Sequence, residues 1–334
     1  MISKFPKIAL ALGSGSAKGL AHIGVIQVLE ENHIPISAVA GTSAGAFIGA
    51  LWAAGLSGEE MGHIARSMNW KTVARMFLPT LPKSGLIDGK RIQKFLLTFI
   101  QEVEIEDLRL PFACVATELS SGHEVIFKKG RIIPAVRASI SIPGIFAPAR
   151  HENRYLVDGG LVNPVPVSVA RMWPVDAVIA VNVIPKVEEK AKFLYSKAVR
   201  KKRRVVSKKL PKIIQSSLKK LEHKEPSEQT LQEKLTNVLN RLKEYENPKP
   251  AIVPGIFTVM LQSLTIAENT ICGLRLSQNP PEVLLEPNLA DVQLLEFHKA
   301  EQIIKAGREI AEKHLPEILT LATLNNERIT ESEA

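Results

Sequence analysis

The tightest constraint on this chain is a pattern written twice in its first 55 residues. A short apolar run, Lys7–Leu12, leads into Gly13-Ser14-Gly15-Ser16-Ala17-Lys18-Gly19. Apolar residues at Leu20, Ile23, Val25, Val28 and Leu29 then recur at helical spacing, which predicts a helix from about Ala17 to Asn32. A second apolar run, Ile36–Ala40, ends in Gly41-Thr42-Ser43-Ala44-Gly45, and Ala44–Ala54 reads as a helix of small residues. Strand, glycine-rich loop and helix, repeated without a break, predict an α/β fold with parallel strands and right-handed crossovers. Further strands are expected at Phe112–Thr117, Glu124–Phe127, Tyr155–Val157, Ala177–Val183 and Val283–Glu286. Further helices are expected at Asp88–Ile100, Pro134–Ile140, Gly255–Ile271 and Lys299–His314.

Charge divides the chain. The net charge is +9 over 334 residues. From Lys186 to Lys224 there are fifteen Lys and Arg against three Glu, so this stretch carries +12 and the remainder −3. From Val187 to Glu246 there is no glycine, and Leu210, Ile213, Ile214, Leu218 and Leu221 keep a helical period. Leu231, Leu235, Val238, Leu239 and Leu242 do the same beyond Pro226-Ser227. The segment reads as a basic two-helix insertion at 187–246, separating a core at 1–186 from its continuation at 247–320, with a flexible tail at 321–334. A solvated helical face is the plain reading of its charge. Attraction to an anionic membrane through 187–224 is the functional one, and nucleic acid is not expected, because aromatics are sparse there and no nucleic-acid motif appears.

The only cysteines, Cys114 and Cys272, build neither a disulfide framework nor a CxxC zinc site. The apolar run after Lys7 is too short for a signal peptide, and no window reaches eighteen apolar residues. The expectation is a cytoplasmic protein whose membrane contact, if any, is peripheral.

Gly41–Gly45 is a G-x-S-x-G between a predicted strand and helix, the setting in which a serine is presented on a sharp turn. A Gly/Ser turn with Ser43 as helix cap is the alternative. The first loop fits neither a P-loop, since Lys18 precedes Gly19, nor a dinucleotide fingerprint, since no acid ends the second strand. It suits an oxyanion hole of backbone N–H groups, or a tight turn that needs glycine dihedrals. A histidine base is disfavoured: His223 lies in the charged insertion, and His298 and His314 flank a helix with no loop signature. Asp158, in Val157-Asp158-Gly159-Gly160, is the other candidate base, with an ordinary turn as its alternative.

Four stretches then coincide in order: Gly13–Gly24 (GSGSAKGLAHIG), Gly41–Gly45 (GTSAG), Val136–Pro148 (VRASISIPGIFAP) and Asp158–Gly160 (DGG). Together they resemble the bacterial patatin-like phospholipases, lipid acyl hydrolases with a Ser–Asp dyad. The resemblance spans about Lys7–Val183, with a weaker match at Leu284–Ala311. It implies a three-layer α/β/α fold with a mainly parallel central sheet and an inserted helical segment. It further implies Ser43 as nucleophile, with Gly41 and Gly45 shaping its elbow, and Asp158 as base, with Gly159 and Gly160 in the aspartate loop. The oxyanion donors would be Ser14, Gly15 and Ser16, the substrate a lipid ester, and no metal or organic cofactor is implied. Ser14 and Ser16 interrupt what is often an unbroken glycine run in the family. Lys18 is read as a loop-fixing or anion-facing cation, with plain surface charge as the alternative, and His22 as a structural hydrogen-bonder. The helix near Pro134–Ile140 and the loop at Ser141–Pro148 resemble the family segment that packs beside the dyad, and are read as structure without chemistry of their own. A catalytically weak patatin fold serving as a membrane-binding or regulatory module is the competing expectation.

Overall fold

The computed structural model describes residues 7–67, 90–185 and 255–323. Both helices expected in the basic insertion fall outside them. Contacts divide the chain into two units, Met1–Val187 with Leu264–Ala334, and Glu188–Ser263. The first unit holds the sheet and the site described below.

Its centre is an eight-stranded sheet. The strands are β1 (Ile8–Leu12), β2 (Ile36–Thr42), β3 (Phe112–Glu118), β4 (Glu124–Phe127), β5 (Ala149–His151), β6 (Arg154–Asp158), β7 (Ala177–Val181) and β8 (Val283–Leu285). Neighbours run β5-β6-β3-β2-β1-β7-β8, with β4 also on β3. The β1–β2, β1–β7, β2–β3 and β7–β8 pairs are parallel, and those among β3, β4, β5 and β6 are antiparallel. Every residue of β1 and β7 is buried, which is why both read as unbroken apolar runs rather than alternating ones. The fold is the expected three-layer α/β/α arrangement.

The described helices are α1 (Ala21–Glu31), α2 (Ala44–Ala53), α3 (Gly58–Ser67), α4 (Lys90–Leu97), α5 (Ile132–Ser139), α6 (Val167–Ala170), α7 (Ile256–Gln278), α8 (Ala300–Lys313) and α9 (Leu315–Thr323). No helix among the described residues is long and apolar enough to cross a membrane.

The first helix differs from its expected span. Ser16–Leu20 is a 3₁₀ turn, and α-helix begins only at Ala21. Ser16 has φ 53° there, and a Cβ on Gly19 would come within 2.3 Å of the Ala44 Cβ, so the turn is tightened against α2. The strand β5 and the helices α3, α6 and α9 lie outside the expected elements, and each is short, at ten residues or fewer.

The last glycine of the first motif serves packing. A Cβ on Gly24 would lie 2.0 Å from the carbonyl of Ile304, and one on Gly307 would lie 2.0 Å from that of Ala21. Helices α1 and α8 therefore cross with backbones nearly touching, and Arg308 ties the crossing with paired bonds to Glu31 at 2.7 Å. Gly24→Ala is expected to lower unfolding stability by ~1–3 kcal/mol, because the clash is with backbone that cannot yield. Gly273→Ala, where a Cβ meets nothing within 4 Å, is expected to be neutral or stabilising. Urea denaturation of the two variants checks the contrast.

Candidate functional site

The site forms where two strands share one edge of a third. Strand β4 pairs with Cys114–Thr117 along one edge of β3. On the other edge β2 pairs with Phe112–Val115, and β6 takes over at Ala116–Glu118. In this register Thr42 faces Val115 and Asp158 faces Ala116, so the residue after β2 and the last residue of β6 meet end to end.

Ser43 is that next residue. Its φ of 54° and ψ of −115° lie in a region that L-residues rarely occupy, and its side chain makes no helix cap. The helix-cap reading of Ser43 is thereby set aside. Such strain of about 1–3 kcal/mol persists only where neighbours over-determine the conformation. The flanking glycines are required by space. A Cβ on Gly41 would fall 2.5 Å from the carbonyl oxygen of Gly45, and one on Gly45 would fall 2.1 Å from that of Leu12.

Ser43 Oγ–H donates to Asp158 Oδ2 at 2.5 Å. Both residues are buried. Asp158 is held at every polar atom. Its Oδ1 accepts from Gly160 N–H at 2.8 Å, its N–H donates to the Ser141 carbonyl at 3.0 Å, and its carbonyl accepts from Thr117 Oγ1 at 2.8 Å. The loops behind the pair are latched together, since Thr42 Oγ1 donates to the Asn163 carbonyl at 2.8 Å. A Cβ on Gly159 would lie 2.2 Å from the Val115 carbonyl, so the turn requires glycine there, whereas one on Gly160 would meet the movable end of Glu268 at 2.4 Å. Burial pushes the Asp158 carboxyl up to about 6, against the bonds from Ser43 and Gly160 that favour its charged form.

The first loop lies beside this pair, because Leu12 is in register with Gly41 across the parallel β1–β2 pair. Ser14 departs from the expected oxyanion trio. Its N–H is committed to the Pro164 carbonyl at 2.8 Å, and its Oγ is buried with no hydrogen-bond partner. Ser16, at positive φ, is tied down by its hydroxyl, which donates to the Leu294 carbonyl at 2.6 Å. Ala17 N–H reaches the same carbonyl at 3.1 Å. The serine that interrupts the glycine run thus holds a glycine-like dihedral through a bond glycine cannot make.

His22 Nε2 donates to the Gly13 carbonyl at 2.8 Å, and burial lowers its pKa to about 4. It is a neutral pin for the loop, as expected, and takes no proton from Ser43. Lys18 is buried, so the surface-charge reading of it is set aside.

In front of Ser43 opens a cavity of about 110 Å3. Ser16 and Ser43 supply its hydroxyls, and Phe47, Phe95, Ile140, Ile142 and Phe146 are among the apolar side chains that line it. The Phe47 and Phe95 rings stack at 6.1 Å between centroids. A strained serine, a tightly bound carboxylate and an apolar cavity share the geometry of the acyl-transfer class of sites.

Comparison with known proteins agrees with that class. The patatin-like phospholipase profile matches residues 10–171. The NTE family protein Rv1063c of Mycobacterium tuberculosis is 30% identical over 343 residues, covering 94% of this chain and 92% of that protein. The chain belongs to the patatin-like phospholipase family. Human patatin-like phospholipase domain-containing protein 6 is 36% identical over 183 residues, 53% of this chain and 13% of that much longer protein. The lysophospholipase NTE1 of Pyricularia oryzae is 35% identical over 184 residues, 53% of this chain and 12% of its own length.

Sequence reasoning under-read Ser139. Its Oγ accepts the N–H of Ser43 at 2.9 Å, and it is fully buried. The signal was the alternation Ser139-Ile140-Ser141-Ile142, in which both isoleucines line the cavity and both serines bond elsewhere.

A buried carboxylate has a stability cost with a definite pH window. The folded pKa of about 6 lies above the ordinary 3.8, so the cost is absent below 3.8, grows between the two and is complete above 6. Asp158→Asn is expected to match wild-type stability near pH 4 and to exceed it by up to ~3 kcal/mol at pH 8. Chemical denaturation at both pH values measures the difference.

Proposed function

We propose that this protein is a serine acyl hydrolase that cleaves lipid carboxylic esters through an acyl-enzyme on Ser43, with Asp158 as the base. The observation that carries the reading is the 2.5 Å hydrogen bond from Ser43 Oγ to Asp158 Oδ2 at the wall of an apolar cavity. A carboxylate is a weak base for a hydroxyl. Burial compensates by raising its proton affinity into the range of useful general bases, and the short bond removes the search for geometry.

In the first half-reaction Asp158 takes the Ser43 proton as Oγ attacks the ester carbonyl. The negative charge forming on that oxygen is received by N–H groups of the first loop. Gly15 and Ser16 are the proposed donors, since the Ser14 N–H is already committed to Pro164. The following helix α2 adds its positive N-terminal end to the same region. Collapse expels the alcohol, which takes the proton from Asp158, and leaves the acyl group on Ser43. In the second half Asp158 takes a proton from water, the resulting hydroxide attacks the acyl carbonyl, and the fatty acid leaves as Ser43 Oγ regains its proton. The apolar cavity suits the acyl chain. A fungal relative named as a lysophospholipase supports phospholipase A, lysophospholipase or esterase chemistry as the range of reactions.

Ser43→Ala and Asp158→Asn are each expected to abolish hydrolysis of a short-chain ester, and Ser43→Ala to abolish labelling by a fluorophosphonate. Wild-type turnover is expected to fall as pH drops through about 6, where Asp158 gains its proton. Full turnover by Ser43→Ala would overturn the assignment.

The basic segment 187–224, within the insertion 187–246, is proposed to recruit the enzyme to anionic membranes. Its +11 charge supports this, since each Lys or Arg near such a surface contributes about 1 kcal/mol, screened by salt. Neutralising Arg200, Lys201, Lys202, Arg203 and Arg204 to Gln is expected to weaken sedimentation with phosphatidylserine vesicles while leaving soluble-ester turnover intact. Unchanged vesicle binding would overturn it.

A further inference from the structure

The last residue of α5 and the strap that follows it, as far as β5, touch both members of the proposed dyad. We infer that Ser139 is a positioning residue of the reaction, holding the strained backbone of Ser43 so that its Oγ stays on Asp158. The inference rests on the Ser43–Asp158 reading above and adds a residue to it.

Three observations carry it. Ser43 sits at φ 54°, and its N–H points to a single acceptor, Ser139 Oγ at 2.9 Å. A backbone this strained reverts unless something holds it, and a buried N–H without an acceptor is itself unfavourable. Two residues on, the Ser141 carbonyl accepts the Asp158 N–H at 3.0 Å. One short strap therefore fixes nucleophile and base relative to each other, from outside the sheet that brings them together.

The strap is itself anchored. The Arg137 guanidinium donates to Ser141 Oγ, and also to the Ala147 carbonyl at 2.7 Å. It lies 5.6 Å from the centre of the Phe146 ring. Ser141 Oγ in turn donates to the Arg137 carbonyl at 2.8 Å. Ile140, Ile142 and Phe146, from the same strap, line the cavity. The segment that orders the reacting atoms is thus also a wall of the cavity proposed to receive the acyl chain.

A purely structural residue and a positioning residue differ in what their loss changes. Ser43 donation favours the charged form of Asp158, so loosening that bond raises the proton affinity of the base. Other charged groups around the aspartate loop include Glu268, beside Gly160, Arg275, which donates to the Val162 carbonyl, and Arg137 on α5, and all are retained when Ser139 is changed.

The test compares wild type, Ser139→Ala and Ser139→Cys on a soluble short-chain ester across pH, with thermal denaturation alongside. In Ser139→Ala kcat is expected to fall on the order of 10²-fold with KM unchanged, as for a reacting group displaced by about 1 Å. Its acid limb is expected to move upward from about 6. Ser139→Cys, with similar volume and a weak sulfur acceptor, is expected to recover part of kcat, and it carries the test if the alanine variant does not fold. A wild-type kcat and acid limb in these variants would overturn the inference. So would a loss of activity that follows loss of folded protein while the acid limb stays in place. If Ser43→Ala and Asp158→Asn are inactive and the Ser139 variants are not impaired, only this inference fails. If Ser43→Ala remains active, the dyad reading fails first.

Discussion

One edge of β3 sets the rest of the structure. Strand β2 runs along it as far as Val115, and β6 arrives from the opposite direction at Ala116. Two strands that meet nose to nose leave their terminal residues within hydrogen-bond reach, and those residues are followed by turns rather than by more sheet. Both turns must then fit beside one backbone. The requirement explains the glycines at 41, 45 and 159, each of which faces a backbone atom that a Cβ would strike. It also explains why the two elements that matter most lie over a hundred residues apart in the chain.

The environment this creates is costly. Asp158 is buried with no cation bonded to it in the described structure, and Ser43 occupies an unfavourable dihedral. The surrounding hydrogen bonds do not remove these costs but direct them. Every polar atom of Asp158 has a fixed partner, so its charged form has one orientation, toward Ser43. Preorganisation of this kind means that little rearrangement is needed when charge moves between the two groups.

Much of the core fold is legible in the sequence, and the reason is local. The continuous apolar runs of β1 and β7 report burial on both faces, and the glycine-rich loops after β1 and β2 report parallel strands ending side by side. Ser43 and Asp158 stand out because their turns demand glycine neighbours. What stays hidden are contacts made by common residue types at long range. Nothing local says that Ser139 accepts from Ser43, that the Ser14 N–H turns away to Pro164, or that Gly24 exists to admit a helix nearly three hundred residues later. The 3₁₀ start of the first helix is hidden for the same reason, since Gly19 tightens against Ala44 only once both are folded.

The bond from Ser16 to the Leu294 carbonyl also bears on the order in which the protein is made. A chain emerging from the ribosome presents Ser43 and Asp158 long before Leu294, and α8 later still. Until that stretch arrives, Ser16 lacks the carbonyl that holds its hydroxyl and α1 lacks the helix that crosses it at Gly24. The N-terminal motifs hold the proposed dyad, but the loop beside them takes its final form only once Leu294 has joined it. A chain made only as far as Asp158 would hold both members of the proposed dyad and still lack the tie that sets the loop beside them.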